Sequence, residues 1–351
     1  MRFTLYPIYW LANDASEEPF DQTVLPFDVM EKVTIERVDS RFQAGAFDRM
    51  KERLGTEVVG NVAGVRYALV HRHKSVPIVV DGEVIGEMTR SKESETLIRI
   101  LAACLRLIRP MRQSALLMHG RVQDDGGFDE LSFDIPPIHL IEVPEVQKLF
   151  GLRNRDAEDL RALAPQFLRA MRGEFWKFRM AVEFHERGHF QPLDWKARFL
   201  FWCSAIESIY TSHNPEHQGS LVAISRVKWL IGENTNIYSP GDIPRSFGVE
   251  DPHLTINQVI ADLYEMRNFL AHGDKIPDLF FKTVLRQGLG GDVGKPEVLL
   301  EAASFIIRIT LLKILRNGLL DYFADAASAE AYFAAQNLTR SALNAARRAA
   351  V

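Results

Sequence analysis

The stretch Thr255-Ile256-Asn257-Gln258-Val259-Ile260-Ala261-Asp262-Leu263-Tyr264-Glu265-Met266-Arg267-Asn268-Phe269-Leu270-Ala271-His272-Gly273 carries its own start and stop signals. Thr255 with Gln258 makes a capping box, and Leu254 with Val259 makes the apolar staple around it. Ile256, Val259, Ile260, Leu263, Met266 and Leu270 recur at helical spacing. Gly273 ends the run, because glycine takes positive φ at the C′ position without a Cβ penalty. The pattern predicts one amphipathic helix from Thr255 to Gly273.

Working outward, helices are expected from about Glu145 to the end of the chain. One spans roughly Ala157 to His185 with interruptions. Asp194 caps another that runs to Thr211, with Phe199, Trp202, Cys203, Ile206, Ile209 and Tyr210 as its stripe. A third runs from about Gly219 to Ile231. Pro296 opens a long apolar helix in which Glu301, Arg308 and Lys313 argue for a buried core element over a membrane span. The Ala-rich tail from Asp325 to Ala350 reads as one more helix. The first half mixes signals instead. Phe3–Trp10, Val33–Val38, Val65–Val70 and Val76–Val80 read as strands, and Asp81-Gly82 turns the last into Glu83–Gly86. Glu93–Ile108 has helical spacing, and further strands are expected around Ala115–Leu117 and Leu131–Phe133. The predicted organisation is an α+β domain over 1–150, then an all-α domain over 151–351 with its core at about 195–318 and a C-terminal helix at 325–350.

Composition bounds the function classes. At 351 residues, two domains are the natural expectation. The 47% apolar and 25% charged residues give the balance of a globular chain, not a disordered one. A net charge of −4 argues against a chain-wide field for nucleic acid while leaving room for a local basic groove. The two cysteines, Cys104 and Cys203, sit in apolar runs and build neither a disulfide framework nor a cysteine zinc site, so a cytoplasmic setting is expected. The start of the sequence lacks the apolar core and cleavage site of a signal peptide, and no association with a membrane is expected.

Chemistry concentrates at the end of the quoted helix. Asn268 and His272 are four apart and share a face. Arg267 and His272 are five apart, a net rotation of about 140°. A regular helix therefore splays them; they converge if the helix loosens before Gly273, or if two copies face each other. Glu207, on the apolar side of its helix, needs a cationic partner, and Arg226 and Arg267 are the candidates.

The run Leu263 to Gly273 resembles the motif of HEPN domains: an arginine, a polar residue, then a histidine four to six positions after the arginine. Trp202 through Ala205-Ile206-Glu207 resembles the first core helix of ApeA-like HEPN domains, and Ser225-Arg226-Val227-Lys228-Trp229-Leu230 the second. The resemblance covers roughly Trp195 to Gly318, and it implies a HEPN helical bundle. It further implies a metal-independent endoribonuclease with no cofactor, working as a homodimer on tRNA or other single-stranded or looped RNA, as a toxin-like or antiphage defence effector. The catalytic residues would be Arg267, Asn268 and His272, with Glu207 beside them. In that chemistry the RNA 2′-OH attacks the adjacent phosphate, an imidazole titrating near neutrality moves the proton, and the guanidinium stabilises phosphoryl charge. The first half would regulate or sense.

Two other readings stand beside this one. Arg267 pairing with Glu207 inside the bundle, His272 as a helix-end cation and Asn268 as a capping group make a non-catalytic HEPN interaction protein. His185-Glu186-Arg187-Gly188-His189 matches the zinc pattern H-E-x-x-H, with Glu186 as base and Glu207 as a third ligand. Against zinc, Arg187 and Gly188 suit the site poorly, and Pro192 and Asp194 end one helix and start another. Gly288-Leu289-Gly290-Gly291-Asp292-Val293-Gly294-Lys295 misses the phosphate-loop spacing and reads as a flexible loop. His71-Arg72-His73-Lys74 reads as a solvated hairpin end, with contact to nucleic acid or a trigger molecule as its functional alternative. Arg153, Arg155, Arg161, Arg169, Arg172, Lys177 and Arg179 have the charge to line an RNA groove.

Overall fold

The computed structural model describes residues 1–8, 20–38, 67–88, 91–110, 113–114, 117–122, 128–134, 140–141, 151–189, 194–237, 254–281, 283–287 and 291–349. The chain divides into two compact units, Met1–Val143 with Gln147–Leu168, and Pro144–Val146 with Arg169–Val351. An antiparallel sheet region comes first and a helical region follows.

In the first unit the strands are β1 (Arg2–Ile8), β2 (Phe27–Met30), β3 (Val33–Arg37), β4 (Tyr67–His73), β5 (Val76–Val80) and β6 (Glu83–Met88). Helix α1 (Lys92–Ile108) follows, then β7 (Gln113–Ser114), β8 (Leu117–Val122), β9 (Phe128–Asp134), β10 (Leu140–Ile141) and α2 (Asn154–Arg172). The main sheet runs β10-β7-β1-β4-β3-β2, with β8 also on β1 and β9 on β8. Every pairing is antiparallel, and β5 with β6 forms a separate hairpin. All of β1 is buried. This burial fits a strand with neighbours on both edges and α1 packed on it. Ser91 caps α1 by accepting from the Ser94 N–H, and Leu97, Ile98, Leu101, Leu105 and Ile108 give it a buried face. The sequence expectations at Tyr9, Trp10, Val65, Arg66, Ala115, Leu116 and Pro192 lie outside the described residues.

The second unit holds α3 (Trp176–Arg187), α4 (Trp195–Tyr210), α5 (Ser220–Ile231), α6 (Ile256–His272), the hairpin β11 (Thr283–Gln287) and β12 (Gly291–Gly294), α7 (Lys295–Arg316), α8 (Ala326–Ala335) and α9 (Arg340–Ala349). Helix α7 packs against α3, α4, α5 and α6. That central place explains its apolarity: Val298, Leu299, Phe305, Ile306, Leu311 and Leu315 are all buried. Among the described residues no helix is long and apolar enough to cross a membrane. Asp194 caps α4, its carboxylate accepting from the Ala197 N–H at 2.8 Å. Gln258 accepts from the Thr255 N–H at 2.8 Å at the start of α6, and Gly273 ends that helix at φ 73°.

Two expectations are corrected, and a third is given its detail. The interruption expected between Ala157 and His185 divides that span into two helices, α2 and α3. At the break, a Cβ on Gly173 would lie 2.8 Å from the Arg169 carbonyl oxygen. The glycine-rich segment is not wholly a loop, because β11 and β12 pair across it, while residues 288–290 lie outside the described set. The tail over 325–350 is two helices: Asn337, at φ 59°, turns the chain between α8 and α9. This turn matters to the bundle, because buried Arg226 reaches it. Its Nε donates to the Leu338 carbonyl at 3.0 Å, its Nη1 to the Tyr210 carbonyl at 2.6 Å, and its guanidinium lies 4.4 Å from the centre of the Phe333 ring. Nη2 contacts His217 Nδ1. One arginine thus ties α5 to the end of α4 and to the tail.

Replacing Arg226 with methionine should cost about 3 kcal/mol, because buried carbonyls lose their donor. Urea unfolding of the full chain checks this; a loss below about 1 kcal/mol would deny the tie.

Candidate functional site

Helices α4 and α6 bring Glu207 and Arg267 together. Glu207 follows buried Ile206, and Arg267 follows buried Met266, so each side chain emerges where its apolar stripe meets solvent. Arg267 Nη2 donates to Glu207 Oε2 at 2.8 Å, and Arg267 Nη1 donates to Asn268 Oδ1 at 3.2 Å. The guanidinium is thereby held from two sides. Arg226 is not the partner of Glu207; its donors go to the carbonyls described above.

The three residues line a cleft of about 730 Å³. Trp176, Met180, Phe184 and Tyr264 give it an apolar and aromatic surface, and Ser204, Ser208 and Ser212 add hydroxyls. Tyr264 sits one turn before Arg267 and Asn268 on the same helical face. Burial, and then the Glu207 carboxylate, push its phenol well above the ordinary value. Its hydroxyl has no hydrogen-bond partner among the described residues. Lys177 lines the same cleft but is nearly buried. Its Nζ donates to the Ser208 and Thr211 carbonyls, both at 2.7 Å, and so caps the C-terminus of α4. Burial, and then Arg226, pull its ammonium down to about 8, while Glu330 opposes them. The cleft offers a flat aromatic face beside a fixed planar cation, which suits a heterocyclic ring and an attached phosphate.

His272 stands apart from this array. It is exposed in the last turn of α6 and is not among the cleft residues. Helix α6 remains α-helical through His272, so the loosened terminus that would bring His272 to Arg267 within one chain is not formed. Asn268 keeps the helical register of four with His272 and accepts from Arg267.

The histidines of the H-E-x-x-H match lie elsewhere. His185 ends near the last turn of α3, and His189 falls beyond it, after Gly188. Both are buried, with Nε2 atoms 3.2 Å apart and rings edge-to-face at 4.6 Å. The Trp202 indole donates to the His185 carbonyl at 3.1 Å. A Cβ on Gly188 would lie 2.3 Å from that indole nitrogen, so glycine permits the approach of the two elements. The expected third ligand, Glu207, is engaged by Arg267. Among the described residues no group of three His, Cys, Asp or Glu side chains converges on a metal position.

Compared with models of known families, with curated proteins and with solved structures, the chain gives no match.

Of the residues named from the sequence, the fold brings Glu207, Arg267 and Asn268 to one cleft and leaves His272 outside it; Trp176 and Tyr264, which also line it, had been given no role. The spacing of Tyr264 to Arg267 and Asn268 was the available signal. Lys177 yields a pH prediction. Its folded value lies below the free value of 10.5, so between about pH 8 and 10.5 the unfolded chain binds the extra proton. Stability relative to a Lys177→Met variant should therefore rise over that window, by on the order of 2 kcal/mol. Paired urea titrations at pH 7.5 and 10 read it; a falling or flat difference would contradict the buried ammonium.

Proposed function

We propose that the helical unit is a HEPN-type endoribonuclease that cleaves RNA without a metal. The observation that supports this reading most is the guanidinium of Arg267, held by Glu207 and Asn268 at a cleft with an aromatic wall. A fork fixed in this way loses little freedom when it meets a phosphate. In the proposed reaction the RNA O2′ attacks phosphorus, the bond to O5′ breaks, and a 2′,3′-cyclic phosphate and a 5′-hydroxyl result. His272 takes the O2′ proton or supplies one to O5′. Arg267 stabilises the charge on the phosphoryl oxygens, Asn268 orients the phosphate, and Glu207 positions Arg267. Because His272 lies outside the cleft of its own chain, the reading places the complete site in a homodimer, where a second motif faces the first. The HEPN resemblance alone supports the cellular role in this reading, a toxin or antiphage effector with tRNA or another looped or single-stranded RNA as target. The need for a 2′-OH makes DNA a non-substrate.

One observation favours a second reading. Arg267 already has a carboxylate partner, and His272 is a turn away from the cleft. A domain that binds RNA without cutting it needs no more than the Arg267 side of the array.

The test is total RNA or tRNA incubated in EDTA with wild type and with His272→Ala. The nuclease reading expects fragments ending in 2′,3′-cyclic phosphate, reduced at least about a hundredfold in the variant. Equal cleavage by both proteins, or none by either, would sink it; retained RNA binding without cleavage would leave the binding reading.

A further inference from the structure

The first unit carries a concave site of its own, independent of the helical unit and of the function proposed for it. The cavity measures about 550 Å³, the size range of small-molecule pockets. Its walls come from the strands β2, β3 and β4 and the start of α1. The end of β4 and the residue after it supply His71, Arg72, His73 and Lys74, and the first turn of α1 supplies Glu93 and Ser94. Lys32, in the turn between β2 and β3, and Asp28 complete the rim. Lys32 is held at φ 62°, a conformation uncommon for a residue with a long side chain. The Arg72 N–H donates to its carbonyl at 3.0 Å and fixes that turn against β4.

The charges in the cavity are not equivalent. Arg72 Nη2 donates to Glu36 Oε2 at 2.6 Å, and Nη1 also contacts that carboxylate, so its charge is balanced inside the protein. Lys32 is exposed, and its carboxylate neighbour Glu31 lies at 3.4 Å with both side chains largely in solvent. Lys32 and Lys74 are therefore the cations a ligand can recruit. Beside them stand two imidazoles whose proton positions are constrained. Ser94 Oγ donates to Thr4 Oγ1 at 2.7 Å, so the 2.7 Å contact from His71 Nδ1 to Ser94 Oγ has the ring N–H as donor. His73 Nδ1 lies 3.0 Å from the Lys74 carbonyl and donates to it. The rings are thus held in place by the sheet and the helix start. Burial, and then His73 and Lys32, press the His71 imidazole down to about 4, with Glu93 opposing.

Asp28 and Glu93 line the same space. A bare anion would meet them as like charges. A ligand with a phosphate at one end and hydroxyl or amino groups at the other would satisfy both kinds of wall, since carboxylates accept from such donors. We propose that this cavity binds a small phosphate monoester carrying a polyhydroxyl or nucleoside moiety, with Lys32 and Lys74 at the phosphate, the His71 ring beside them, and Asp28 and Glu93 at the hydroxyls. A concave volume bounded by both charge signs fits a small molecule better than a nucleic-acid strand, which follows an open stripe of one sign.

Calorimetry on the full chain tests this with AMP, ribose 5-phosphate, adenosine and inorganic phosphate. At least one ester should bind with a Kd below about 1 mM, adenosine and inorganic phosphate at least about tenfold more weakly. Lys32→Ala and Lys74→Ala, both at the rim, should each weaken the ester by about fivefold without changing the melting temperature. In a proton NMR titration the His71 ring should titrate at higher pH with the ester bound, a shift that a purely structural role for the cluster would not give. The proposal is overturned if no ester binds at about 10 mM, if adenosine or inorganic phosphate binds as tightly as the esters, or if both lysine variants bind normally. It is overturned equally if a short RNA binds at this cluster in competition with none of the four compounds.

Discussion

The ion pair between Glu207 and Arg267 is the constraint around which the candidate site is organised. It joins α4 to α6 at the edge of their apolar contact, where each side chain is about three-tenths exposed: 27% for Glu207 and 29% for Arg267. Partly exposed pairs of this kind contribute about 1 kcal/mol or less to stability. The packing of α7 against four other helices, and the ties made by Arg226, carry the fold far more directly. The pair is therefore weak as a structural brace and strong as a positioning device: it fixes the plane of a guanidinium whose other side is engaged by Asn268.

Arg226, Lys177 and Arg267, with Lys313 as a parallel to Lys177, show how position decides the role of a basic side chain in the helical unit. Arg226 is buried and spends its donors on carbonyls. Lys177 lies in the cleft wall, yet its ammonium serves the last carbonyls of α4, as Lys313 serves those of Leu230 and Ile231 at the end of α5. Arg267 alone of the three keeps one face toward the cleft and faces a carboxylate on the other. The chemistry proposed for the cleft rests on this difference, and so does the assignment of Lys177 to helix capping.

Much of this was legible in the sequence where local signals and burial agree. The Gln258 contact to Thr255 and the Gly273 stop gave α6 its limits, and the apolar run of α7, interrupted by Glu301, Arg308 and Lys313, pointed to its place among the other helices. The angular argument that separates Arg267 from His272 also holds, since α6 stays regular to its end. What was not legible depends on partners distant in sequence. Strand β2 is four residues long and takes its identity from β3. The split between α8 and α9 falls in an alanine-rich run with no proline or glycine, and the turn exists where Arg226 can donate to the Leu338 carbonyl. Likewise, nothing local in His71 to Lys74 shows that α1 closes a cavity over it.

The central claim is that Arg267 is held for an RNA phosphate and not for the stability of the bundle. One variant, Arg267→Met, separates the two when its unfolding free energy and its affinity for an uncleavable 2′-O-methyl RNA are measured side by side. The account predicts a stability change within about 1 kcal/mol and an RNA affinity lower by at least about tenfold. A stability loss of about 3 kcal/mol or more with unchanged RNA affinity would contradict it and make the pair a structural element of the bundle.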